Sequence, residues 1–170
     1  MRYALSAIAL TFATAVSSHA QLALYGGFTT SKTNAANTPR LSGGTFGTFY
    51  DGKHYPVVNF GIDVRGVVLP VTEAVGVFAF TVGPRAVVHL PGIPVHPYVE
   101  ITAGAAKVQY GSGGIASYNR VGFAASATAG ADLHLLPFLD WRVIDYSFTR
   151  LQGPKSNQTS FTTGIVVHIP

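Results

Sequence analysis

The chain has 170 residues, a length that suits a single domain. Charged residues make up only 11% of it, against about 25% in average soluble domains, while hydrophobic residues reach 48%. There is no cysteine for a disulfide, and the net charge of +4 is not gathered into a basic run that would predict a nucleic-acid partner. No stretch after residue 20 has the roughly 18 consecutive apolar residues of a transmembrane helix, so helical membrane proteins are excluded.

The first 20 residues have the three parts of a cleavable export signal. Arg2 supplies the positive charge, residues 4–16 form a short apolar run, and Ser18 and Ala20 are the small residues expected before a cleavage site. The apolar run is shorter than a membrane-spanning helix, which argues against a permanent N-terminal anchor. We therefore predict a signal peptide at residues 1–20 and a mature domain at residues 21–170.

Short stretches in which apolar residues alternate with small or polar ones follow the signal. Because successive residues of a strand face opposite sides, this alternation predicts β-strands. Eight such stretches occur, at residues 22–30, 45–51, 57–69, 76–90, 96–110, 120–135, 139–150 and 158–169. Most of them reach the roughly 9–11 residues with which a tilted strand crosses a bilayer, and the second shows the weakest pattern.

The connections between the predicted strands are rich in the turn-forming residues Gly, Pro, Ser and Asn. Tight turns follow the even-numbered strands, as at residues 91–94, and looser loops follow odd-numbered strands, as at residues 31–44 and 111–119. Outer-membrane barrels have short periplasmic turns and longer extracellular loops, so both chain ends are expected in the periplasm. Pro84 lies within the fourth strand and cannot donate a ladder hydrogen bond, which predicts a β-bulge there.

The third strand shows the alternation most clearly, with Phe60 and Ile62 on one face and Asp63 and Arg65 on the other. A barrel in a bilayer is apolar outside and polar inside, because charged groups cannot face lipid. Strand parity predicts an inward set: Asp63, Arg65, Arg85, Glu100, Thr102, Ser126, Thr128, Asp132 and Arg142. It also predicts an outward set: Val58, Phe60, Ile62, Phe80, Val82, Val88, Val99, Ile101, Phe123, Leu133, Trp141, Val143, Ile165 and Val167.

The charged part of the inward set could line an ion pathway or form a paired polar core that plugs the barrel. Its members are Asp63, Arg65, Arg85, Glu100, Asp132 and Arg142. We favour the plug, because eight strands enclose only enough space for side chains and unpaired buried charges are costly. Simple alternation from Arg142 puts Asp145 outside, unless a bulge shifts the phase or the residue lies near the rim, and the sequence leaves this open.

Aromatic and histidine residues concentrate near the predicted strand ends. The rings of Tyr25, Phe28, Phe49, Tyr50, Phe78, Tyr98, Tyr110, Phe123, Phe138, Trp141, Tyr146, Phe148 and Phe161 are expected at the two bilayer interfaces, with ordinary packing as the alternative. His54, His89, His96, His134 and His168 map to the periplasmic end, where clustered imidazoles could bind a metal or respond to pH. They lack the tight spacing of metal ligands, so we interpret them as interfacial side chains and predict no metal or other cofactor.

Complete catalytic motifs are absent from the sequence. It has no Gly-x-Ser-x-Gly turn, no complete phosphate-binding loop, and no His-x-Ser pair of the kind that barrel deacylases use. Asp132 and His134 lie two residues apart on one face and could resemble an acid–base pair, but no nucleophile accompanies them. We therefore predict no catalytic residues and retain a lipid-acting barrel enzyme only as a third hypothesis.

Several segments resemble a known family of small membrane barrels. They are residues 60–66, Gly83-Pro84-Arg85, Pro97-Tyr98-Val99-Glu100, the region around Gly104, and residues 139–150. In this order, across residues 45–150, they resemble the transmembrane barrel of the outer-membrane protein A type, as found in acidobacterial genomes. The resemblance implies an eight-stranded barrel inserted by the outer-membrane assembly machinery, and it brings no catalytic residues. The chain departs from the family at Ile169-Pro170, where such barrels usually have a final aromatic residue.

The sequence thus predicts an all-β, eight-stranded antiparallel up-and-down barrel in the outer membrane of a Gram-negative-type cell. We expect a non-enzymatic monomer with a structural or surface-interaction role, in contact with membrane lipid and lipopolysaccharide. The loops that follow the odd-numbered strands would be its exposed functional surface. The alternative is a secreted or periplasmic soluble barrel that binds a small apolar ligand, as lipocalins do. Such a barrel needs a polar outside and an apolar lining, which is the reverse of the third strand.

Overall fold

The computed structural model describes residues 21–34, 40–55, 57–70, 75–112, 115–152 and 156–169. The predicted signal peptide at residues 1–20 and the final Pro170 lie outside the described residues. In the part of the chain that is described, no helix is long and apolar enough to cross a membrane.

Eight antiparallel strands form a single closed sheet, as the sequence predicted. They are β1 (Gln21–Thr33), β2 (Leu41–His54), β3 (Val58–Leu69), β4 (Val75–Val88), β5 (Val95–Ser112), β6 (Ile115–Leu136), β7 (Leu139–Leu151) and β8 (Ser156–Ile169). Each strand pairs with its neighbour in sequence, and β1 pairs with β8 from Leu22 opposite Ile169 to Thr33 opposite Gln158. This last pairing closes the barrel and removes the sheet edges that would otherwise carry unpaired backbone groups.

Two connections are shorter than the sequence predicted. Half of the proposed loop at residues 31–44 is strand, namely residues 31–33 and 41–44, with Ser31 opposite Leu41. The proposed loop at residues 111–119 is also mostly paired, with Ser112 opposite Ile115. Ser, Thr and Gly suggest a loop by composition, but ladder hydrogen bonds use backbone groups, so neighbouring strands can hold such segments in the sheet.

The two ends of the barrel have different connections. The turn end is where β1 begins and β8 ends, and it carries the short connections around residues 55–57, 89–94 and 137–138. The loop end is the opposite one and carries the β1–β2, β3–β4, β5–β6 and β7–β8 connections. In the β4–β5 turn, the Ile93 N–H donates to the Leu90 carbonyl at 3.1 Å, and Gly92 has a φ of 77°, which favours glycine.

Pro84 does not produce the bulge that the sequence predicted. The β3–β4 register continues without a shift past Ile62 opposite Pro84. Pairing of β4 with β5 lapses after Val82 opposite Ala103 and resumes in the same register at Arg85. The sheet therefore accommodates the missing proline N–H by omitting two pairs and not by inserting an extra residue.

Strand β7 contains the irregularity that the sequence left open. Its register with β8 shifts between Arg142 and Asp145, and its register with β6 shifts between Ala131 and Asp132. Asp145 is fully buried as a result. A bulge places two residues of one strand against one of its neighbour, so the residues beyond it change face, and Asp145 points inward like Arg142.

Candidate functional site

The barrel interior is filled by side chains that change in character from one end to the other. At the loop end lies an apolar layer that consists of Leu41, Leu69, Val77, Ala106, Val108, Ala124 and Leu151, all of them buried. Each of these side chains is at most 4% exposed, so this part of the interior is filled by packed apolar groups. Sequence reasoning missed this layer, since it searched the inward face for polar residues only.

Hydroxyl groups form the next layer. Thr29 shares hydrogen bonds of 2.6 Å with Thr45 and 2.8 Å with Thr162, and Ser126 shares one of 2.7 Å with Thr149. A cavity of about 20 Å³ lies among these side chains, above the guanidinium of Arg65. That volume holds about one water molecule, whereas pockets for small ligands measure about 300–1,000 Å³.

A layer of buried ion pairs fills the half of the interior nearer the turn end. Arg65 donates to Glu100 at 2.7 Å and makes a two-pronged contact with Asp145 at 2.8 and 3.1 Å. Its Nε also lies 3.7 Å from an oxygen of Asp63, which accepts a hydrogen bond from Tyr25. Every one of these charged side chains is at most 4% exposed, so each depends on its partners for solvation.

Two further arginines extend this layer into a single network. Arg85 donates to Glu100 at 2.8 Å and to Asp132 at 3.2 Å. Arg142 donates twice to Asp132, at 2.9 and 3.1 Å. Glu100 and Asp132 each bridge two cations, so the structure brings together all six charged residues of the inward set, with Asp145 and Asp51 as additional members.

Aromatic rings separate the arginines of the network. The Arg85 guanidinium lies 3.9 Å from the centre of the Phe49 ring and 4.1 Å from that of Tyr98. Arg142 lies 4.2 Å from the Tyr25 ring and 4.8 Å from the Tyr98 ring. Such cation–π contacts are strongest where water is excluded. The prediction that Tyr25, Phe49 and Tyr98 lie at the bilayer interface was therefore wrong, because their strand parity turns them inward.

Glycines make room for two of these rings. A Cβ at Gly47 would lie 2.5 Å from the hydroxyl of Tyr25, and a Cβ at Gly130 would collide with the ring of Tyr98. Gly130 lies opposite both Tyr98 and Asp145 in the sheet and so faces inward. The absent side chains let each tyrosine lie flat across the neighbouring strand, next to the arginines.

Replacing Gly130 by alanine is expected to destabilise the barrel by about 1–3 kcal/mol, the usual cost of overpacking a filled interior. The added methyl group would also lie 2.6 Å from the Ile144 carbonyl oxygen, so a shift of the Tyr98 side chain alone would not relieve the overlap. Gly26→Ala is the matched control, because a Cβ at Gly26 meets nothing within 4 Å. Urea unfolding followed by tryptophan fluorescence measures both variants, and equal midpoints would contradict the packing role of Gly130.

Histidines form a cluster at the turn end. The Asp140 carboxylate accepts hydrogen bonds from His134 at 2.7 Å and from His168 at 2.8 Å. The His96 ring lies 4.4 Å from the His89 ring and 6.1 Å from the His134 ring, centre to centre. The side chain of His54 lies outside the described residues. Among the residues described, no group of three or more histidines and carboxylates is suited to hold a metal.

The outer surface of the barrel is apolar on every strand. Side chains that are at least one-third exposed include Leu24, Phe28, Phe46, Phe60, Ile62, Phe80, Val82, Val99, Ile101, Val121, Phe123, Trp141, Phe148, Phe161 and Ile165. Every residue of the predicted inward set is buried, and every residue of the predicted outward set is exposed or half-buried. Soluble monomers rarely expose a continuous apolar surface of this extent, whereas a lipid-facing barrel requires one.

No protein-family model and no curated protein sequence matches the chain. Solved structures do match it. The attachment invasion locus protein Ail of Yersinia pestis, in complex with the heparin analogue sucrose octasulfate, matches with a TM-score of 0.62 and 14% identity, over 88% of this chain and 99% of that one. Neisserial surface protein A matches with a TM-score of 0.57 and 12% identity, over 87% and 96%. The Yersinia pestis outer membrane protein Ail in a phospholipid bilayer nanodisc matches with a TM-score of 0.50 and 15% identity, over 89% and 100%.

The chain has the fold of the small outer-membrane β-barrels. In a barrel of this fold with eight strands, the interior is a side-chain core, and the present network is such a core. The possible acid–base pair of Asp132 and His134 has no support in the contacts, since Asp132 bonds to Arg85 and Arg142 while His134 bonds to Asp140.

Proposed function

We propose that this protein is a non-enzymatic integral outer-membrane barrel with a structural or surface-interaction role. The observation that carries the proposal is the polarity of the closed sheet, with ion pairs inside and aromatic and aliphatic side chains outside on all eight strands. Only lipid satisfies such an exterior, because in water it would drive aggregation. Export through the predicted signal peptide at residues 1–20 and insertion by the outer-membrane assembly machinery are part of the proposal.

The six charged residues predicted from the sequence act, in this proposal, as a structural plug and not as an ion pathway. Both carboxylate oxygens of Glu100 and of Asp132 are held by arginines, so these two carboxylates are fixed in ion pairs and are not free to relay ions. The apolar layer at the loop end adds a second barrier, because an ion entering it would lose its hydration without compensation. The protein is therefore not expected to conduct ions.

Lipopolysaccharide is the proposed partner at the loop end. Lys32 and Arg40 line one groove on the outer surface together with Tyr146 and Phe161, and Arg150 lines a neighbouring groove. A basic side chain above aromatic rings suits a lipid that carries phosphate groups above acyl chains. Ail, whose fold is similar, was solved with a polysulfated sugar, which supports an anionic ligand for a barrel of this kind. Because the closed sheet has no free edge, we propose a monomer.

The alternative, a soluble barrel that carries a small apolar ligand, is not favoured. Its interior would need an apolar cavity, whereas the cavity of about 20 Å³ lies among hydroxyl groups beside Arg65. Its exterior would need polar side chains, whereas residues such as Ile101 and Val121 are 70% and 71% exposed.

Cell fractionation tests the proposed function. We expect the protein in the outer-membrane fraction, with a band on SDS gels that migrates differently before and after boiling, because a closed barrel resists detergent until it is heated. A known periplasmic protein and a known outer-membrane barrel from the same cells serve as controls. Recovery in the periplasm or medium, with no mobility change on boiling, would contradict the proposal.

A further inference from the structure

The turn end of the barrel is unusually apolar. Its three connections and the residues beside them expose large hydrophobic side chains: Tyr55, Val57, Leu90, Ile93, Leu135, Leu136 and Phe138, each 40–55% accessible. Among the residues described in these connections, none carries a charged side chain. The loop end differs, since Lys32, Arg40 and Arg150 are exposed there. Proline is an ordinary turn residue, but a turn that projects into water is expected to be polar and has no physical reason to expose Leu, Ile and Phe.

The apolar turns continue the lipid-facing surface of the strands. The Tyr55 ring packs edge-on against the ring of Phe60, which faces outward, with 6.0 Å between the ring centres. Phe138 is 55% exposed in the turn that precedes the outward-facing Trp141 of β7. The three turns belong to the β2–β3, β4–β5 and β6–β7 hairpins and so surround the barrel. A protein docked on one side could not cover all of them, whereas a bilayer surrounds the whole circumference.

The backbone of this end also has little need of water. The N–H groups of His89, His134 and His168 donate to the carbonyls of Val57, Pro94 and Phe138, at 2.8, 2.8 and 2.9 Å. The Tyr55 N–H donates to the Val58 carbonyl at 3.0 Å. The prolines of these turns have no N–H at all. A backbone whose donors are satisfied internally can enter the membrane interface at low cost.

We propose that the three turns of the turn end lie within the interface of the periplasmic leaflet, with a lipid surface as the partner of their apolar side chains. The inference rests on the proposed function, because it requires the barrel to be in a membrane. Water then reaches this end only at its centre, where Asp140 binds His134 and His168. The barrel is thus anchored by its strands and also by a ring of turn side chains.

Single-tryptophan variants in phospholipid vesicles test this placement. Trp141 is the only tryptophan of the chain, so Trp141→Phe removes the native tryptophan fluorescence and leaves the introduced tryptophan as the single probe. Phe138→Trp and Ile93→Trp then report on two separate turns, Ile101→Trp reports on the lipid-facing strands, and Gln152→Trp reports on the loop end. Fluorescence is measured with lipids brominated in the upper part of the acyl chain, which quench a ring in the membrane, and with acrylamide, which quenches a ring in water.

We expect both turn probes to lose fluorescence to brominated lipid at least as strongly as the Ile101→Trp probe, because the bromines lie close to the interface, while the Gln152→Trp probe is quenched by acrylamide alone. Turn probes that respond only to acrylamide, with the Ile101→Trp probe still quenched by lipid, would overturn this inference and leave the proposed function intact. Turn probes shielded from both quenchers would indicate a protein contact, such as a second copy, and would also overturn it. Failure of lipid to quench the Ile101→Trp probe would contradict the proposed function itself.

Discussion

Replacing Arg65 by methionine is expected to destabilise the barrel by about 3–5 kcal/mol, the cost of leaving buried charges without their partner. Arg65 is 4% exposed and binds Glu100 and Asp145 at 2.7 and 2.8 Å. Methionine fills a similar volume, so the loss is electrostatic and not a matter of packing. The free energy of unfolding in urea, with the barrel in lipid vesicles, measures the effect.

Arg150→Met is the matched control for Arg65→Met. Arg150 is exposed on the outer surface at the loop end, so its removal should change stability by less than about 0.5 kcal/mol. The double variant with Asp145→Leu should recover part of the loss, because it removes one of the three carboxylates that pair with Arg65. If Arg65→Met and Arg150→Met unfolded at the same urea concentration, the network would not be the structural core that we propose.

Replacing Ile101 by arginine is expected to destabilise the membrane-inserted barrel by about 2–4 kcal/mol, as for cations placed at mid-membrane on other barrels. Ile101 is 70% exposed and lies opposite the small Ala127, so no neighbouring side chain shields the new charge. The yield of folded, heat-modifiable protein in vesicles and its unfolding free energy both measure the effect.

The Ile101→Arg variant also distinguishes the membrane barrel from the alternative, a soluble ligand-binding barrel. On a soluble barrel, an exposed isoleucine faces water, and arginine there would be neutral or would improve solubility. Ile101→Leu is the control, since it preserves an apolar side chain and should leave stability unchanged within about 0.5 kcal/mol. Normal folding of Ile101→Arg in vesicles would argue that this face of β5 does not contact lipid.

Much of the architecture could be predicted because the chain alternates with a period of two. Asp63 and Arg65 in one strand, and Glu100 in another, were assigned inward from parity alone, and the structure buries all three. Parity is local, so it needs no knowledge of partners. The same reasoning could not assign Asp145, because a bulge is an extra residue in one strand relative to its partner, and only the pairing of the two strands reveals it.

The composition of a segment was a poorer guide than its parity. Residue type predicts loops at Ser31 and Ser112, yet both lie in paired strands. Residue type predicts interfacial rings for Tyr25 and Phe49, yet both are buried against arginines. In each instance the position of the residue was set by strand pairing and by the face of the sheet to which its side chain points, which override the average preference of the residue type.

Alternation along each strand was enough to predict the number of strands, the two faces of each strand and six of the charged residues in the interior, because these properties are local. Which charged residues pair with one another was known only from the folded barrel. Arg65 reaches Asp145 across 80 positions of the chain, and Glu100 joins Arg65 to Arg85. Such contacts depend on the register between strands and on closure of β1 against β8, and no single stretch of sequence contains either of them.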